Sequence, residues 1–417
     1  MRRLLILGIL FLDITAHAQN ATDTDSPYEQ LQLLARTIQL IRQDYVDESK
    51  VSYKDLTYNA LKGMLDSLDP HSQFMEPRNF KNMQEDTKSE FGGLGVNVTM
   101  KSGVLTIINP MEDSPGFQAG LLPGDQILKI NGQTIEKLSV NEAVDKLRGK
   151  AGEKVTLTIN RPATSETRDY ELTRAVIKVP SVKDAQILPS RQSSGSKIGY
   201  VRITQFNEPT ASELSSALDK LEKSGMDALI LDLRYNPGGL LGSAVDVCGE
   251  FLPPNTLVVS TEGRSPSREY RTSPKSLSRR DYPVAILANY ASASGSEIVT
   301  GALKDLDRAL IVGETTFGKG SVQSVVALPD GSAARLTTAK YFTPGRNLIH
   351  EHGVSPHIFA TLTYEQETAL LRSRRKTGEF GKPNVPPWDP QLERAFDALQ
   401  GTLLNAKNIS GNPTKKK

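Results

Sequence analysis

The strongest constraint on the fold is an alternation of short apolar runs with amphipathic segments in the second half of the chain. Runs typical of buried strands alternate with segments of helical periodicity, at residues 198–203, 211–223, 228–233, 243–251, 284–288, 294–306 and 309–313. Alternation of this kind is typical of strands joined by helical crossovers, which form a largely parallel sheet covered by helices. The sequence therefore predicts a layered α/β core.

Helical patterns flank this core. In residues 27–88 the apolar side chains recur every three to four positions, beginning with Leu31, Leu34, Ile38 and Ile41. Residues 361–417 contain a second helical pattern, at 390–404, ahead of a lysine-rich tail. Because this periodicity places the apolar side chains on one face of a helix, we expect amphipathic helices in both segments.

The first eighteen residues have the composition of a secretory signal peptide. Arg2 and Arg3 precede an apolar run at residues 4–12, and small residues follow at Ala16 and Ala18. The run is shorter than the roughly 20 residues that span a bilayer, which favours a signal peptide, cleaved after Ala18, over a membrane anchor. Residues 1–18 therefore predict an exported protein.

Composition excludes several kinds of site. Cys248 is the only cysteine, so an intrachain disulfide and a cysteine-ligated zinc site are excluded. The formal net charge is +2, which gives no electrostatic reason to expect nucleic-acid binding.

A serine-rich segment between a predicted strand and a predicted helix is the first candidate for chemistry. It reads Ala-Ser-Ala-Ser-Gly-Ser-Glu over residues 291–297 and contains Ser292, Ser294 and Ser296. Active sites of α/β folds usually lie where strands end, and a helix that begins there directs backbone N–H groups at developing negative charge. Taken alone, the segment is more typical of a helix N-terminus without chemistry.

A nucleophilic hydroxyl needs a base, and the sequence offers two kinds. His350, His352 and His357 cluster after the α/β core, and their spacing leaves a Ser-His-Asp triad open. Lys319 is the alternative, in a glycine-bounded loop after the last predicted strand. A lysine acts as a base when desolvation lowers its pKa, and Gln323 can hydrogen-bond the amine without adding a charge.

Three motifs together are specific. They are the serine segment, Val-Gly-Glu-Thr-Thr-Phe-Gly-Lys-Gly-Ser-Val-Gln at residues 312–323, and Leu-Asp-Leu-Arg-Tyr-Asn-Pro-Gly-Gly at residues 231–239. In this order they resemble the carboxyl-terminal processing proteases, S41-type serine peptidases whose nucleophile and general base lie twenty-five residues apart. Lys319 follows Ser294 by 25 residues and Ser296 by 23, so the resemblance selects Ser294.

The resemblance also implies roles for neighbouring residues. Gln323 orients the lysine, Asp305 aligns with an accessory acidic residue, and the oxyanion is held by backbone N–H groups of Gly238 or Gly239 together with Gly295. The family commonly has alanine after the nucleophile, where this chain has Gly295. Because the contribution there comes from the backbone, glycine is expected to preserve it.

A second resemblance covers residues 89–177. Phe-Gly-Gly-Leu-Gly-Val at residues 91–96 and the glycine-rich segment at 119–132 resemble a PDZ domain of the bacterial protease type. The resemblance implies that a loop captures a peptide's C-terminal carboxylate and that the peptide adds as a strand beside it, against a helix. The implied peptide-binding residues are Gly93, Leu94, Gly95 and Val96 in the loop and Val140, Ala143, Val144, Leu147 and Arg148 on the helix.

Together these inferences predict an α/β protease core (ClpP/crotonase-like) at residues 178–360, after an inserted PDZ domain with an α+β, partly open barrel. The expected function is a serine endopeptidase that cleaves proteins with apolar C-terminal tails and needs no metal or organic cofactor. The resemblance further implies a homo-oligomer formed through the terminal helices, an adaptor protein for delivery, and a location in the periplasm or cell envelope, with attachment at the inner membrane left open. The alternatives are a catalytically inactive PDZ scaffold and a hydrolase of another bond.

Overall fold

The computed structural model describes residues 26–101, 103–111, 113–136, 138, 140–189, 195–274, 280–375 and 388–410. The predicted signal peptide and residues 411–417 lie outside these ranges. The chain forms two compact units, the first ending at Leu68 and the second beginning at Asp69. Within the described ranges, no helix combines the length and the apolar character needed to cross a membrane.

The described part of the first unit is helical, as predicted. It contains α1 (Pro27–Asp44), a short 3-10 helix (Glu48–Lys50) and α2 (Tyr53–Asp66). Ser52 caps α2 by accepting a hydrogen bond from the Asp55 N–H. None of the residues of α1 is buried, and its apolar stripe is exposed, with Leu31 61% and Leu34 38% accessible.

The second unit begins with β1 (Gln73–Met75) and α3 (Pro77–Thr87), and then forms a separate small domain. Its elements are β2 (Glu90–Gly93), β3 (Val96–Lys101), β4 (Val104–Pro110), α4 (Pro115–Gln118), β5 (Gln126–Ile130), β6 (Gln133–Thr134), α5 (Val140–Leu147), β7 (Lys154–Arg161), β8 (Glu166–Thr173) and β9 (Ala175–Lys178). One sheet has the order β3-β4-β5-β7-β8, and β2 pairs with β9 in a second, two-stranded sheet. A hydrophobic core centred on Leu105, Ile127 and Leu157 lies inside this domain.

The remaining elements form the α/β core. They are β10 (Val182–Ile187), β11 (Ile198–Ile203), α6 (Thr210–Lys223), β12 (Ala228–Asp232), α7 (Leu241–Gly249), β13 (Leu257–Gly263), β14 (Arg268–Arg271), β15 (Val284–Ala288), α8 (Gly295–Asp305), β16 (Leu310–Gly313), β17 (Ser321–Ala327), β18 (Ala333–Phe342), β19 (Ile358–Phe359), α9 (Tyr364–Arg375) and α10 (Pro390–Ser410). The main sheet has the order β10-β11-β12-β15-β16-β19 and is parallel except for β10.

This sheet is the central layer of the core. Every residue of β11, β12 and β15 is buried, as expected for parallel strands covered on both faces. Apolar residues of α6, α7 and α8 pack on one face, and Leu392, Phe396 and Leu399 of α10 pack on the other. The predicted layered α/β fold is confirmed.

Helix α3 agrees with the helical prediction, but residues 69–76 differ from it. Gln73–Met75 is a strand that pairs antiparallel with Ala333–Arg335 at the start of β18. The sheet built by β1, β18, β13 and β14, with β17 also on β18, was not predicted. A three-residue run such as Gln-Phe-Met carries no periodicity, so its conformation is set by the strand it meets.

Candidate active site

Ser294 lies at the sharp turn between β15 and α8. It is the N-cap of α8, and its backbone has φ 52° and ψ −112°, a conformation that is sparsely populated by residues with a side chain. Such backbone strain is stored mainly at functional sites. The turn brings Ser294 directly to the carboxyl edge of the parallel sheet.

The structure distinguishes Ser294 from its two neighbours. Ser292 and Ser296 are fully buried, and their hydroxyl groups donate to the Leu233 and Asn236 carbonyl oxygens, respectively. Ser294 is partly accessible. Two of the three hydroxyl groups are therefore structural, and Ser294 is the one of the three serines that remains partly accessible.

Lys319 lies in the loop that joins β16 to β17. Its side chain is half-buried, and the Phe317 N–H in the same loop donates to the Ser292 carbonyl oxygen at 3.0 Å. Burial, and next the positive charge of Arg335, hold the pKa of Lys319 below its ordinary value, while Glu297 acts in the opposite direction. The loop therefore favours the neutral amine that a general base requires.

Glu297 joins the serine turn to the lysine loop. Its Oε2 accepts hydrogen bonds from the backbone N–H groups of Ser294 and Lys319, and its Oε1 accepts from the Thr316 hydroxyl and the Gly318 N–H. The side chain is fully buried, and burial raises its pKa although these four bonds act the other way. Sequence reasoning gave Glu297 no role, although Ser-x-x-Glu before a helix is the signature of a capping box.

The predicted oxyanion loop packs directly against Ser294. A side chain at Gly238 would come within 2.7 Å of the Ser294 Cβ. The Gly238 N–H is already bonded to Asn236 Oδ1 at 2.8 Å, so the prediction of Gly238 as an oxyanion donor is corrected. The N–H groups of Gly239 and Gly295 have no acceptor within the described ranges, which leaves these two as candidate donors.

Neither Gln323 nor Asp305 forms a hydrogen bond with the lysine amine in the part of the chain that the structure describes. The amide nitrogen of Gln323 donates to the carbonyl and hydroxyl oxygens of Ser321, so only its amide oxygen remains for Lys319. Asp305 is the last residue of α8, about 15 Å from the Ser294 end by helix geometry. Its carboxylate accepts from Thr343 and the Gly345 N–H, which stabilises the turn after β18. An accessory role for Asp305 at the reacting atoms is therefore not supported.

The three histidines of the alternative triad have different surroundings. The Nδ1 atom of His357 accepts the Ile311 N–H at 2.9 Å, and His352 is exposed, with Nδ1 against the His350 carbonyl oxygen. The backbone of Ile349 and His350 packs against Gly320, next to Lys319. None of the three forms a hydrogen bond with Ser294 among the described residues.

A buried ionic network supports the strand that leads to the oxyanion loop. Arg234 is almost fully buried and binds Asp232 next to it, and it also binds Asp389, which lies just before α10. Arg374 of α9 donates to Asp232 at 2.7 Å, and Tyr200 donates to the same carboxylate. Tyr200, Arg374 and Asp389 were not foreseen as members of this network, because they lie far from Arg234 in sequence.

The second candidate site lies in the small domain. A cavity of 240 Å³ between β3 and α5 is lined by Phe91, Gly93, Leu94, Gly95, Val96, Asn97, Val98, Val144, Leu147 and Arg148. β3 is an edge strand of its sheet, so it can accept another strand. The N–H groups of Leu94 and Gly95 have no acceptor within the described part of the chain, as a carboxylate site requires.

Two predicted residues of this cavity behave differently from the rest. Val140 does not line it, and Ala143 is fully buried in the domain core. The Arg148 guanidinium lies 4.7 Å from the centre of the Phe91 ring and 3.8 Å from Asp86 of α3. Arg148 is therefore positioned at the cavity rim instead of being a freely solvated charge.

Comparison with known proteins agrees with this architecture. Residues 197–360 match Peptidase family S41, and residues 106–161 match the PDZ domain. A carboxy-terminal-processing protease of Bartonella bacilliformis is 37% identical over 421 residues, covering 95% of this chain and 94% of that protein. A carboxyl-terminal-processing protease of Synechocystis sp. is 34% identical over 404 residues, covering 92% and 90%.

A putative S41 protease from Bacteroides fragilis, a solved structure, aligns with a TM-score of 0.50 at 19% identity, over 88% of this chain and 97% of that chain, which supports the fold. The chain belongs to the carboxy-terminal processing proteases of Peptidase family S41, and proteins of this family act on protein substrates. The resemblance found in the sequence is confirmed.

Proposed function

We propose that this protein is an exported serine endopeptidase that uses Ser294 as nucleophile and Lys319 as general base, and that its PDZ domain selects substrates by their C-terminal tails. The observation that carries the proposal is the acceptor shared by the two residues, Glu297 Oε2, at 2.8 Å from each backbone nitrogen. A single buried carboxylate thus fixes the nucleophile and the base relative to each other.

The proposed reaction begins with attack of the Ser294 hydroxyl on the scissile carbonyl carbon. The neutral amine of Lys319 takes the hydroxyl proton, and the N–H groups of Gly239 and Gly295 bind the oxyanion; such donors contribute about 3 kcal/mol each to the transition state. Cleavage of the C–N bond follows, with the proton of Lys319 passing to the leaving amine. Water, activated by the same amine, then hydrolyses the acyl-enzyme.

Gln323 is proposed to orient the lysine of the dyad. Its amide nitrogen is bound to Ser321, which leaves the amide oxygen as an acceptor for the Lys319 amine. An uncharged acceptor directs the amine without adding the negative charge that would hold it protonated.

Substrate selection is assigned to the cavity between β3 and α5. A peptide added to the edge of β3 directs its terminal carboxylate to the N–H groups of Leu94 and Gly95, while its last side chain meets Val144 and Leu147. The mixed but largely apolar lining favours tails that end in an apolar residue. Arg148 contacts the rim, where a bound carboxylate attracts its charge.

The expected location of the protein and its expected self-association are based on other parts of the chain. We expect export to the periplasm or cell envelope from residues 1–18, self-association through the terminal helices, and an adaptor protein that delivers substrates. The exposed apolar stripe of α1 supports self-association.

The test is cleavage of an unfolded protein with an apolar C-terminal tail by the wild type and by Ser294→Ala and Lys319→Ala variants. Ser324→Ala on β17, at a partly accessible serine, and Lys340→Ala on β18, at an exposed lysine, are the matched controls. We expect both dyad variants to be inactive and both controls to be active. A folded wild type that binds tail peptides but cleaves none of their carriers would indicate an inactive scaffold.

Selection is tested separately by binding of a labelled peptide with a free or an amidated C-terminus. Binding should require the free carboxylate and should be lost in Val144→Asp. Equal binding of both peptides would contradict the assigned carboxylate site.

A further inference from the structure

Two tyrosines on neighbouring loops of the core donate to one oxygen atom of helix α9. The hydroxyl groups of Tyr235 and Tyr290 both donate to Glu367 Oε1, and both distances are 2.5 Å. The two rings meet edge to face, with their centres 6.1 Å apart. Short hydrogen bonds to a carboxylate are among the stronger ones in proteins. Tyr235, Glu367 and Tyr290 therefore form a bridge between two loops, called here the Glu367 bridge.

Each tyrosine belongs to one of the loops that carry the proposed chemistry. Tyr235 directly precedes Asn236, whose Oδ1 accepts the Gly238 N–H at 2.8 Å in the oxyanion loop. Tyr290 lies four residues before Ser294, in the segment between β15 and α8. The Glu367 bridge thus joins the oxyanion loop to the serine turn.

The backbone of Tyr235 has a conformation that needs support from its surroundings. Its φ is 62°, in the left-handed region that residues with a side chain rarely adopt. The Tyr235 N–H donates to Asn289 Oδ1 at 3.0 Å, and the hydroxyl group donates to Glu367, so the residue is held at both ends. Backbone strain persists only where neighbouring groups fix it, and it is concentrated at functional sites. We therefore expect the oxyanion loop to shift when the bond to Glu367 is lost.

A second residue of α9 fixes the helix that carries Glu367. Arg374 donates through Nη1 to the Arg234 carbonyl oxygen at 3.1 Å and through Nη2 to Asp232 at 2.7 Å. Its guanidinium carbon lies 5.4 Å from the centre of the Tyr235 ring. Glu367 and Arg374 are seven residues apart, which is about two helical turns, so they lie on the same face of α9. Glu367 is therefore presented from a helix that is itself bonded to the strand before the oxyanion loop.

We infer that Glu367 is a positioning residue for the reaction: by accepting from Tyr235 and Tyr290 it fixes the oxyanion loop relative to the serine turn. The inference rests on the proposed function, which assigns the nucleophile and the oxyanion donors to these two loops. It extends the site to a helix outside residues 197–360, the part that matches the peptidase family. Glu367 acts through the two tyrosines and is assigned no contact with the substrate.

The first test compares Glu367→Ala with Glu367→Gln. Alanine removes the acceptor, whereas glutamine keeps an amide oxygen with two lone pairs, which can accept from both hydroxyl groups more weakly. The readout is cleavage of the unfolded protein with an apolar tail. A displacement of about 1 Å can reduce a rate about 100-fold, so for a smaller shift we expect kcat to fall about tenfold for alanine and less than about threefold for glutamine, with KM unchanged. Glu365→Ala, at an exposed position of α9, is the matched control and should keep the wild-type kcat.

The second test uses the fact that a bridge fails when either end is removed. Tyr235→Phe and Tyr290→Phe each remove one hydroxyl group and keep the ring. We expect both to lower kcat, and we expect the double variant to be no slower than the slower of the two, because the single losses are then not independent. Neither substitution should slow Glu367→Ala further. Tyr364→Phe, at a 79% exposed tyrosine of the same helix, is the control.

A third readout does not require a substrate tail. In labelling by a fluorophosphonate probe the Ser294 hydroxyl attacks phosphorus, its proton passes to the base, fluoride leaves, and a phosphonyl oxygen occupies the place of the oxyanion. We expect the labelling rate of Glu367→Ala to fall by about the same factor as kcat. The acid limb of its pH profile should stay at the wild-type position, because Lys319 is unchanged. Thermal unfolding verifies that each variant is folded, and the tyrosine variants carry the test if Glu367→Ala does not fold.

The outcomes separate this inference from the proposed function. Partial rescue by glutamine, together with losses in the tyrosine variants that do not multiply, supports the positioning role. Wild-type kcat in folded Glu367→Ala, losses that multiply in the double variant, or a glutamine variant as slow as the alanine variant would overturn it. If wild-type Ser294 is not labelled at any pH and no tailed protein is cleaved, the proposed function is wrong and the inference fails with it.

Discussion

The backbone N–H groups of Ser294 and Lys319 donate to one and the same oxygen atom, Oε2 of Glu297, and both distances are 2.8 Å. The two residues belong to different loops, one before α8 and one before β17. Their relative position therefore depends on a single buried carboxylate and on backbone atoms. The side chains of Ser294 and Lys319 take no part in these two hydrogen bonds.

Glu297→Gln is predicted to impair activity strongly. An amide offers one acceptor oxygen in place of two, so one pair of buried donors faces an NH₂ group instead. Each buried donor left without an acceptor costs about 1–3 kcal/mol. We expect kcat/KM to fall by about tenfold or more, together with a lower Tm. Glu351→Gln, at an 81% exposed side chain, should change neither quantity. A lower Tm with wild-type kcat/KM would show that Glu297 serves folding alone.

Activity is predicted to depend on the neutral form of Lys319, so kcat/KM should rise with pH along an acid limb. Because the charge of Arg335 helps to lower the pKa of Lys319, Arg335→Gln should move this limb to higher pH. Arg335→Lys keeps the charge and should keep the limb near its wild-type position. A profile that stays flat down to about pH 5 would contradict a lysine base.

Lys319 is also predicted to reduce the stability of the fold at neutral pH. Its pKa is lowered in the folded state from an ordinary value of 10.5, so the unfolded chain binds its proton more tightly. The resulting cost is complete below the folded pKa and disappears as the pH rises towards 10.5. Lys319→Met should therefore raise Tm at pH 7 by about 1–2 °C per kcal/mol removed, because the shift becomes smaller as the chain becomes longer. Differential scanning calorimetry at several pH values checks this, and a gain that persists unchanged above the ordinary lysine pKa would have another cause.

Two glycines beside the nucleophile are predicted to respond differently to alanine. At Gly238, with φ 96°, a Cβ would lie 2.6 Å from the Ala293 carbonyl oxygen and would displace the Ser294 turn. A displacement of about 1 Å can reduce activity about 100-fold, which is the loss we expect for Gly238→Ala. At Gly295 the nearest atom to a Cβ is a ring carbon of Phe206 at 3.1 Å, so Gly295→Ala should retain activity within a few-fold. Comparable kcat/KM values for the two variants would argue against this placement of the oxyanion loop.

Asp389→Asn is predicted to reduce both the stability of the fold and kcat. It removes one of the two carboxylates that neutralise the buried Arg234, and breaking a buried ion pair costs about 3–5 kcal/mol when the remaining charge is left unpaired. Because Asp232 still binds Arg234, we expect a smaller loss of stability, with a lower Tm and reduced kcat. Asp397→Asn, on an exposed position of the same helix α10, is the control. Unchanged kcat in Asp389→Asn would limit the network to a role in folding.

The main sheet was predictable because its strands are buried on both faces. Residues 198–203, 228–233 and 284–288 are largely apolar runs, and their burial leaves little choice of conformation. β1 was not predicted, because it is stabilised by pairing with residues of β18 more than 250 positions away. Such pairing leaves no local periodicity in the sequence.

Residue type and spacing identified Ser294 and Lys319 as candidates, and in the structure the backbone N–H groups of both donate to Glu297. The sequence could not predict which hydrogen bonds of the neighbouring backbone are already made. The choice between Gly238 and Gly239 follows from the side chain of Asn236, which takes one of the two N–H groups. The partners of Arg234 on α9 and before α10 could be found only in three dimensions.

The network around Arg234 has a consequence for the order of events during synthesis. Asp389 and Gln391, which bind Arg234, come near the end of the chain, whereas the Ser294 turn and the Lys319 loop come much earlier. Because chains are made from the N-terminus onwards, a growing polypeptide contains the Ser294 turn and the Lys319 loop before Asp389 has been made. Until then Asp232 is the one carboxylate of this network that can neutralise the charge of Arg234.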